Sequence, residues 1–118
     1  MEQRRIERLG RSVSCVGFGA WQLGADWGDV PEEEATAALE AALAEGVTFI
    51  DTADASGDGR SERIIGRLIG QLGAERPFVA TKMGRRVEQR HENYTPQAFR
   101  GWIERSRENL GLDTLDLV

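Results

Sequence analysis

Two charged side chains in this sequence stand where an apolar run stops. Thr48-Phe49-Ile50 leads into Asp51, and Phe78-Val79-Ala80-Thr81 leads into Lys82. If the two runs are neighbouring parallel strands, about 5 Å apart, the carboxylate and the ammonium meet at one rim. There they would form an ion pair, because an unpaired charge beside a dry apolar interior is costly. Such a pair lowers the pKa of a nearby hydroxyl or polarises a carbonyl oxygen. Gly19-Ala20-Trp21-Gln22 closes another apolar run and would reach the same rim. On these residues alone two alternatives stay open: a Lys–Asp pair that only closes strand ends, or one that serves chemistry.

The elements that would position these residues alternate. β-rich runs fall at 16–19, 47–51, 78–82 and 115–118, and each of the first three is followed by a segment of helical character. The first helix follows Pro31, with Glu32, Glu33 and Glu34 in a first turn where the helix dipole favours acids. Its apolar face is Ala35, Ala38, Leu39, Ala42 and Leu43, and it stops at Gly46. The second is expected to be capped by Ser61 and to carry Ile64, Ile65, Leu68, Ile69 and Leu72 to Gly73. The third opens at Thr95-Pro96 and carries Phe99, Trp102, Ile103, Ser106 and Leu110 to Gly111.

Strand–helix alternation implies a parallel sheet, since a parallel neighbour is reached only by a crossover. The spacings Val16 to Thr48, Thr48 to Val79 and Val79 to Leu115 are 32, 31 and 36 positions. Eight units of that size would make roughly 250 to 290 residues, the size of a (β/α)₈ barrel. The chain therefore reads as α/β of the TIM-barrel type, limited to about the first four β/α units. A doubly wound sheet is disfavoured, because Gly17-Phe18-Gly19 lacks the third glycine of a dinucleotide loop. Ahead of the first strand, 4–9 and 13–16 flank Gly10-Arg11-Ser12 and read as a hairpin over the barrel floor. Because 117–118 falls inside a strand, and domain ends usually lie at the surface, the chain reads as a single N-terminal half-barrel that is a truncated piece.

Composition excludes several classes. The 118 residues are 40% hydrophobic and 30% charged, an ordered globular profile, with no run long enough to span a bilayer and no apolar leader after Met1. A cytoplasmic location is the expectation. Cys15 alone forms no internal disulfide, and Cys15 with His91 makes a poor metal site. A net charge of −5 opposes nucleic-acid phosphates despite the basic cluster of Arg85, Arg86 and Arg90. Arg85 and Arg86 read as exposed-loop residues, His91 as solvated, Trp27 and Trp102 as packing or cover, and Cys15 as a small buried strand residue. Trp21 is open between pocket and core.

Four separated stretches together resemble the aldo-keto reductases. They are Val16-Gly-Phe-Gly-Ala-Trp-Gln-Leu-Gly24; Gly46-Val-Thr-Phe-Ile-Asp-Thr-Ala53 with Ser61-Glu62 and Ile65-Gly66; Val79-Ala-Thr-Lys82; and Asn109-Leu-Gly-Leu-Asp-Thr-Leu-Asp-Leu-Val118. The resemblance covers nearly the whole chain. It implies an NADP-dependent oxidoreductase that passes hydride from NADPH to an aldehyde or ketone while a tyrosine hydroxyl protonates the oxygen. Asp51 matches the aspartate that holds the lysine, Lys82 the lysine that activates the tyrosine, and Gly19, Ala20 and Trp21, with Asp51, the nicotinamide and substrate wall. The chain departs from the pattern at the tyrosine, where Ser56 stands, and the family's histidine has no counterpart in it. Serine is a poor general acid, and losing that function costs roughly 10²- to 10⁴-fold. The expectations are a small-molecule carbonyl substrate, impaired or absent activity, and weak or absent NADP(H) binding. The alternative is a non-catalytic half-barrel that acts as a binding or regulatory module, or that forms a homodimer through its open strand edges.

Overall fold

A computed structural model describes residues 1–118. The chain begins with an antiparallel hairpin, β1 (Gln3–Ile6) and β2 (Arg11–Ser14), in which Gln3 faces Ser14 and Ile6 faces Arg11. The hairpin is present, but its turn lies earlier than the sequence suggested. A 3₁₀ turn over Glu7–Leu9 closes at Gly10, whose φ of 64° takes the left-handed conformation that glycine adopts freely, so Arg11 and Ser12 belong to the second strand. Ser14 and Thr48 exchange hydrogen bonds, each backbone N–H donating to the other's hydroxyl at 2.8 Å. Arg11 lies over the Phe78 ring at 5.2 Å. Both contacts are made at the N-terminal ends of the sheet strands, so the hairpin covers the floor.

The sheet is parallel, in the order β3 (Phe18–Gly19), β4 (Phe49–Asp51), β5 (Phe78–Ala80). Phe18 registers with Ile50, Ile50 with Val79, and Asp51 with Ala80. The fourth expected strand is reduced to one parallel bridge, Ala80 to Leu117, with Thr81 N–H donating to the Leu117 carbonyl at 3.0 Å. Asp116 fastens that edge. It accepts two hydrogen bonds from the Arg76 guanidinium, at 2.6 and 2.9 Å, and a third from the Val79 N–H at 2.9 Å. Burial alone would push its carboxyl up, but these donors outweigh it and hold Asp116 below the ordinary carboxylate value.

Three helices connect the strands: α1 (Glu32–Ala44), α2 (Arg60–Leu72) and α3 (Pro96–Leu110). The expected acids occupy the first turn of α1, and Thr95 caps α3 by accepting from Ala98 N–H at 3.1 Å. Ser61 does not cap α2. The cap falls two residues earlier, at Gly59 with φ 92°, so the helix begins at Arg60, and the Ser61 hydroxyl is buried instead, donating to the Ala20 carbonyl at 2.8 Å and sharing a hydrogen bond with Thr52. α2 packs against both other helices and sets Ile64, Ile65, Leu68 and Ile69 on Ala20, Leu39, Ile50, Val79 and Leu110. Full burial of each large aliphatic contributes about 1.5–3 kcal/mol, so this cluster holds the sheet. Cys15, expected inside, is exposed. It lies one residue beyond β2, whose last two residues, Val13 and Ser14, are both buried.

Candidate active site

The C-terminal ends of β3, β4 and β5 open into one cavity of about 660 Å³, within the range of small-molecule sites. Its walls are the segment after β3 (Gly19, Ala20, Trp21, Gln22 and Trp27), the segment after β4 (Asp51, Thr52, Ala53, Ala55 and Ser56), and Lys82 and Arg85 after β5. Every residue named from the sequence as a candidate therefore meets in one place. Lys82 Nζ donates to Asp51 Oδ1 at 2.6 Å and to the Thr52 carbonyl at 2.9 Å. An ammonium has three donors, so one remains for a molecule in the cavity. The expected dry setting is not found: the side chains of Lys82 and Asp51 are 56% and 50% exposed. Both project past the strand ends, where a pair contributes little to stability.

Ser56 is almost covered, at 4% exposure, yet reaches the cavity wall. No tyrosine or histidine lines the cavity. The single tyrosine, Tyr94, donates from its hydroxyl to the Gly84 carbonyl at 2.8 Å and packs against Phe99 and Trp102 outside the cavity lining. Trp102 is buried in that group, as packing. Trp27, expected to be packing or cover like Trp102, is instead 74% exposed at the mouth, its ring centroid 4.2 Å from that of Trp21. Trp21, open between pocket and core, is pocket.

The first turn of α2 fixes these walls. Arg60 donates to the carbonyls of Leu23, at 2.5 Å, and Val30, at 2.6 Å; Asp26 accepts from Gly57 N–H at 2.8 Å. Gly57 sits at φ 61° against the Gly24 backbone, where a Cβ would collide with the Gly24 carbonyl. Ser61 ties the end of β3 to the end of β4. Glu62, fully buried, accepts from the Thr81 hydroxyl at 2.7 Å and from the Asn109 amide at 2.9 Å. The sequence held a signal for it: Glu62 shares a helix face with Ile65 and Ile69, three and seven positions on, so a carboxylate stands on an apolar stripe.

Asp54 went unread. It is 1% exposed, its N–H donates to the Lys82 carbonyl at 3.1 Å, and neither carboxyl oxygen has a hydrogen-bond partner. Burial, followed by the nearby Glu62 charge, pushes its pKa up; Arg86 and Arg105 offset this only in part. Those two arginines pair with Asp58, at 2.9 and 3.0 Å, and the Arg86 hydrogen bond leads the causes that hold Asp58 below its ordinary value. His91 is 93% exposed, and no helix is long and apolar enough to cross a membrane.

Known proteins resemble this chain in sequence and fold. L-galactose dehydrogenase of Arabidopsis thaliana is 36% identical over the whole of this chain and 37% of its own length. Aldo-keto reductase YhdN of Bacillus subtilis is 39% identical over 70% of this chain and 25% of its own. The structure of an aldo-keto reductase from Klebsiella pneumoniae in complex with NADPH superposes with a TM-score of 0.76 at 26% identity, covering 98% of this chain and 38% of that one. The chain thus spans between a quarter and two fifths of the length of these relatives, and its sheet corresponds to part of a (β/α)₈ barrel. Residues 15–118 match the Aldo/keto reductase family pattern. With that match over most of its length and the Asp51–Lys82 pair at the strand ends, the chain belongs to the aldo/keto reductase family.

Proposed function

We propose that this chain is the single N-terminal half-barrel unit of an NADP-dependent aldehyde or ketone reductase, and that its cavity is the carbonyl end of the site. The observation that carries this reading is the Lys82 ammonium, held by Asp51 and the Thr52 carbonyl with one donor left over inside the cavity. The residues fit the reactive end of a nicotinamide cofactor. Gly19 presents a bare wall, where an added Cβ would meet nothing within 4 Å, and Ala20 and Trp21 continue it. When bound, NADPH supplies a hydride to the carbonyl carbon. Lys82 then stabilises charge developing on the carbonyl oxygen, Asp51 keeps Lys82 aimed, and Ser56 is the nearby hydroxyl through which a proton could pass inefficiently. Of the two cations lining the cavity, only Arg85 lacks a carboxylate partner, so the cofactor's phosphates have little to grip and its affinity in this chain is weak. A cytoplasmic location belongs to the same reading.

The test is a titration of the chain with NADPH, following nicotinamide and tryptophan fluorescence, with 4-nitrobenzaldehyde added at saturation. Saturable binding with slow oxidation of NADPH, lost in Lys82→Met, supports a reductase site. No binding up to millimolar cofactor refutes it for this chain.

A second reading has its own observation. Val16, just before the edge strand β3, and Leu117 and Val118, at the opposite edge of the sheet, are 56%, 45% and 48% exposed. Two copies could cover these apolar edges by pairing into a closed barrel. A dimer by size-exclusion chromatography with light scattering supports that non-catalytic or regulatory use, and a monomer at high concentration removes it.

A further inference from the structure

Two features of the cavity wall take no part in hydride or proton transfer. The first is the tryptophan pair. Trp21 and Trp27 are both more than half exposed, with ring planes inclined at 56° and centroids 4.2 Å apart at the mouth of the cavity. Large aromatics left open to water are unusual unless something covers them. These two are not on a loose loop: Arg60 clamps the chain on both sides of Trp27 at Leu23 and Val30, and Asp26, its immediate neighbour, is tied to Gly57. A rigid aromatic wall offers stacking without a large ordering cost.

The second feature is Arg85. Around it, cations are paired: Lys82 with Asp51, Arg86 and Arg105 with Asp58, Arg90 with Glu88 and Glu92. Arg85 makes no hydrogen bond or ion pair with any residue, yet it lines the cavity. The only carboxylate in the lining is Asp51, which Lys82 already engages. The cavity is thus net positive in a chain of net charge −5. Its surplus charge is a planar fork suited to a carboxylate or phosphate oxygen pair.

Building on the reductase reading, we propose that the substrate is a carbonyl compound with a planar apolar body and an anionic group, the body resting on Trp21 and Trp27 and the anion paired with Arg85. Trp27 and Arg85 are then specificity-determining residues. Neither takes part in hydride or proton transfer, so their effects fall on binding.

The test uses two probes of similar shape, 4-carboxybenzaldehyde and its neutral methyl ester, titrated against the 118-residue chain by tryptophan quenching, with calorimetry for variants that lack a tryptophan. The acid is expected to bind about tenfold more tightly than the ester, as one charge-assisted hydrogen bond would give. Arg85→Gln should remove that preference while leaving ester binding unchanged. Trp27→Ala should weaken both probes severalfold, and Trp27→Phe should restore most of the loss. Equal affinity for acid and ester overturns the proposal. So does a preference that survives in Arg85→Gln, or one that disappears in Lys82→Met, which would place the anion on the lysine. If Arg85→Gln weakens NADPH but spares the acid preference, Arg85 serves the cofactor and the proposal fails. The reductase reading is judged separately, by NADPH oxidation: an acid preference that depends on Arg85, without turnover, keeps the ligand class and removes the reductase.

Discussion

Asp54→Asn isolates the most unusual group in the molecule. The Asp54 carboxyl is 1% exposed with both oxygens unpartnered, whereas Glu62 beside it accepts from Thr81 and Asn109. Burial without donors disfavours the ionised form, so the folded chain favours the proton on the Asp54 carboxyl. A carboxyl whose folded-state pKa is raised holds its proton in the folded chain after the unfolded chain has released it. Stability is therefore fully present below the ordinary value of 3.8 and falls as pH rises from there to the raised folded value. In that window one proton difference gives a slope of ~1.4 kcal/mol per pH unit. Asparagine cannot ionise and removes the slope. The variant should match the parent near pH 3.5 and exceed it at pH 7 by about 1.4 kcal/mol for each pH unit by which the folded pKa is raised. Each kcal/mol corresponds to roughly 4 °C in Tm. Urea and thermal unfolding of both proteins between pH 3.5 and 8 measures it. Superimposable pH profiles would refute the placement of the proton on Asp54.

Other consequences can be checked with single variants. Glu62→Gln should destabilise by about 1–3 kcal/mol in urea unfolding, because it weakens two buried hydrogen bonds to a charged acceptor. Arg76→Ala should cost about 1–3 kcal/mol near neutral pH by removing a partly buried, bidentate partner of Asp116. Asp116 has a lowered pKa, so its contribution is present above 3.8 and disappears as pH falls through the folded value; in denaturation the variant and parent should draw together as pH falls below 3.8. Gly57→Ala should cost more than about 1 kcal/mol, from its positive φ and the contact with the Gly24 carbonyl. Ser56→Tyr should raise any NADPH-dependent aldehyde reduction by roughly 10²- to 10⁴-fold, the usual worth of a general acid, and Lys82→Met should cancel the gain in the same assay.

Asp51 and Lys82 were legible because each interrupts an apolar run, and a charge at the end of a buried strand has few places to go. α1 and α3 were legible because their acids, prolines and caps act within one turn of chain. What stayed hidden depends on contacts between distant segments. Ser61 looks like a cap by local rules, but Gly59 already provides the turn, and the hydroxyl is used by Ala20 and Thr52 across the sheet. Trp27 lies in a stretch of Gly, Ala and Asp with no periodicity, and only the Arg60 and Asp26 hydrogen bonds turn that stretch into a wall. Asp54 lies between two cavity-lining residues, Ala53 and Ala55, but is itself absent from the lining. A side chain's direction within a loop is not written in its neighbours. Cys15 is exposed for a related reason: β2 ends at Ser14, and Cys15 already lies in the bend that follows.

The clamp that Arg60 places on the tryptophan loop grips only main-chain oxygens, at Leu23 and Val30. A carbonyl is the same whichever side chain it follows, so the fastening is blind to the composition of the segment between its two points. Positions 27 and 29 can therefore be exchanged as a cassette, subject to retaining Gly24 beside Gly57, a carboxylate at 26, Gly28 at its φ of 142° and, at 25, a residue that accepts the left-handed conformation (φ 62°). A library varied only there would sample new cavity mouths on an unchanged frame, which makes this loop the natural place to retarget the protein.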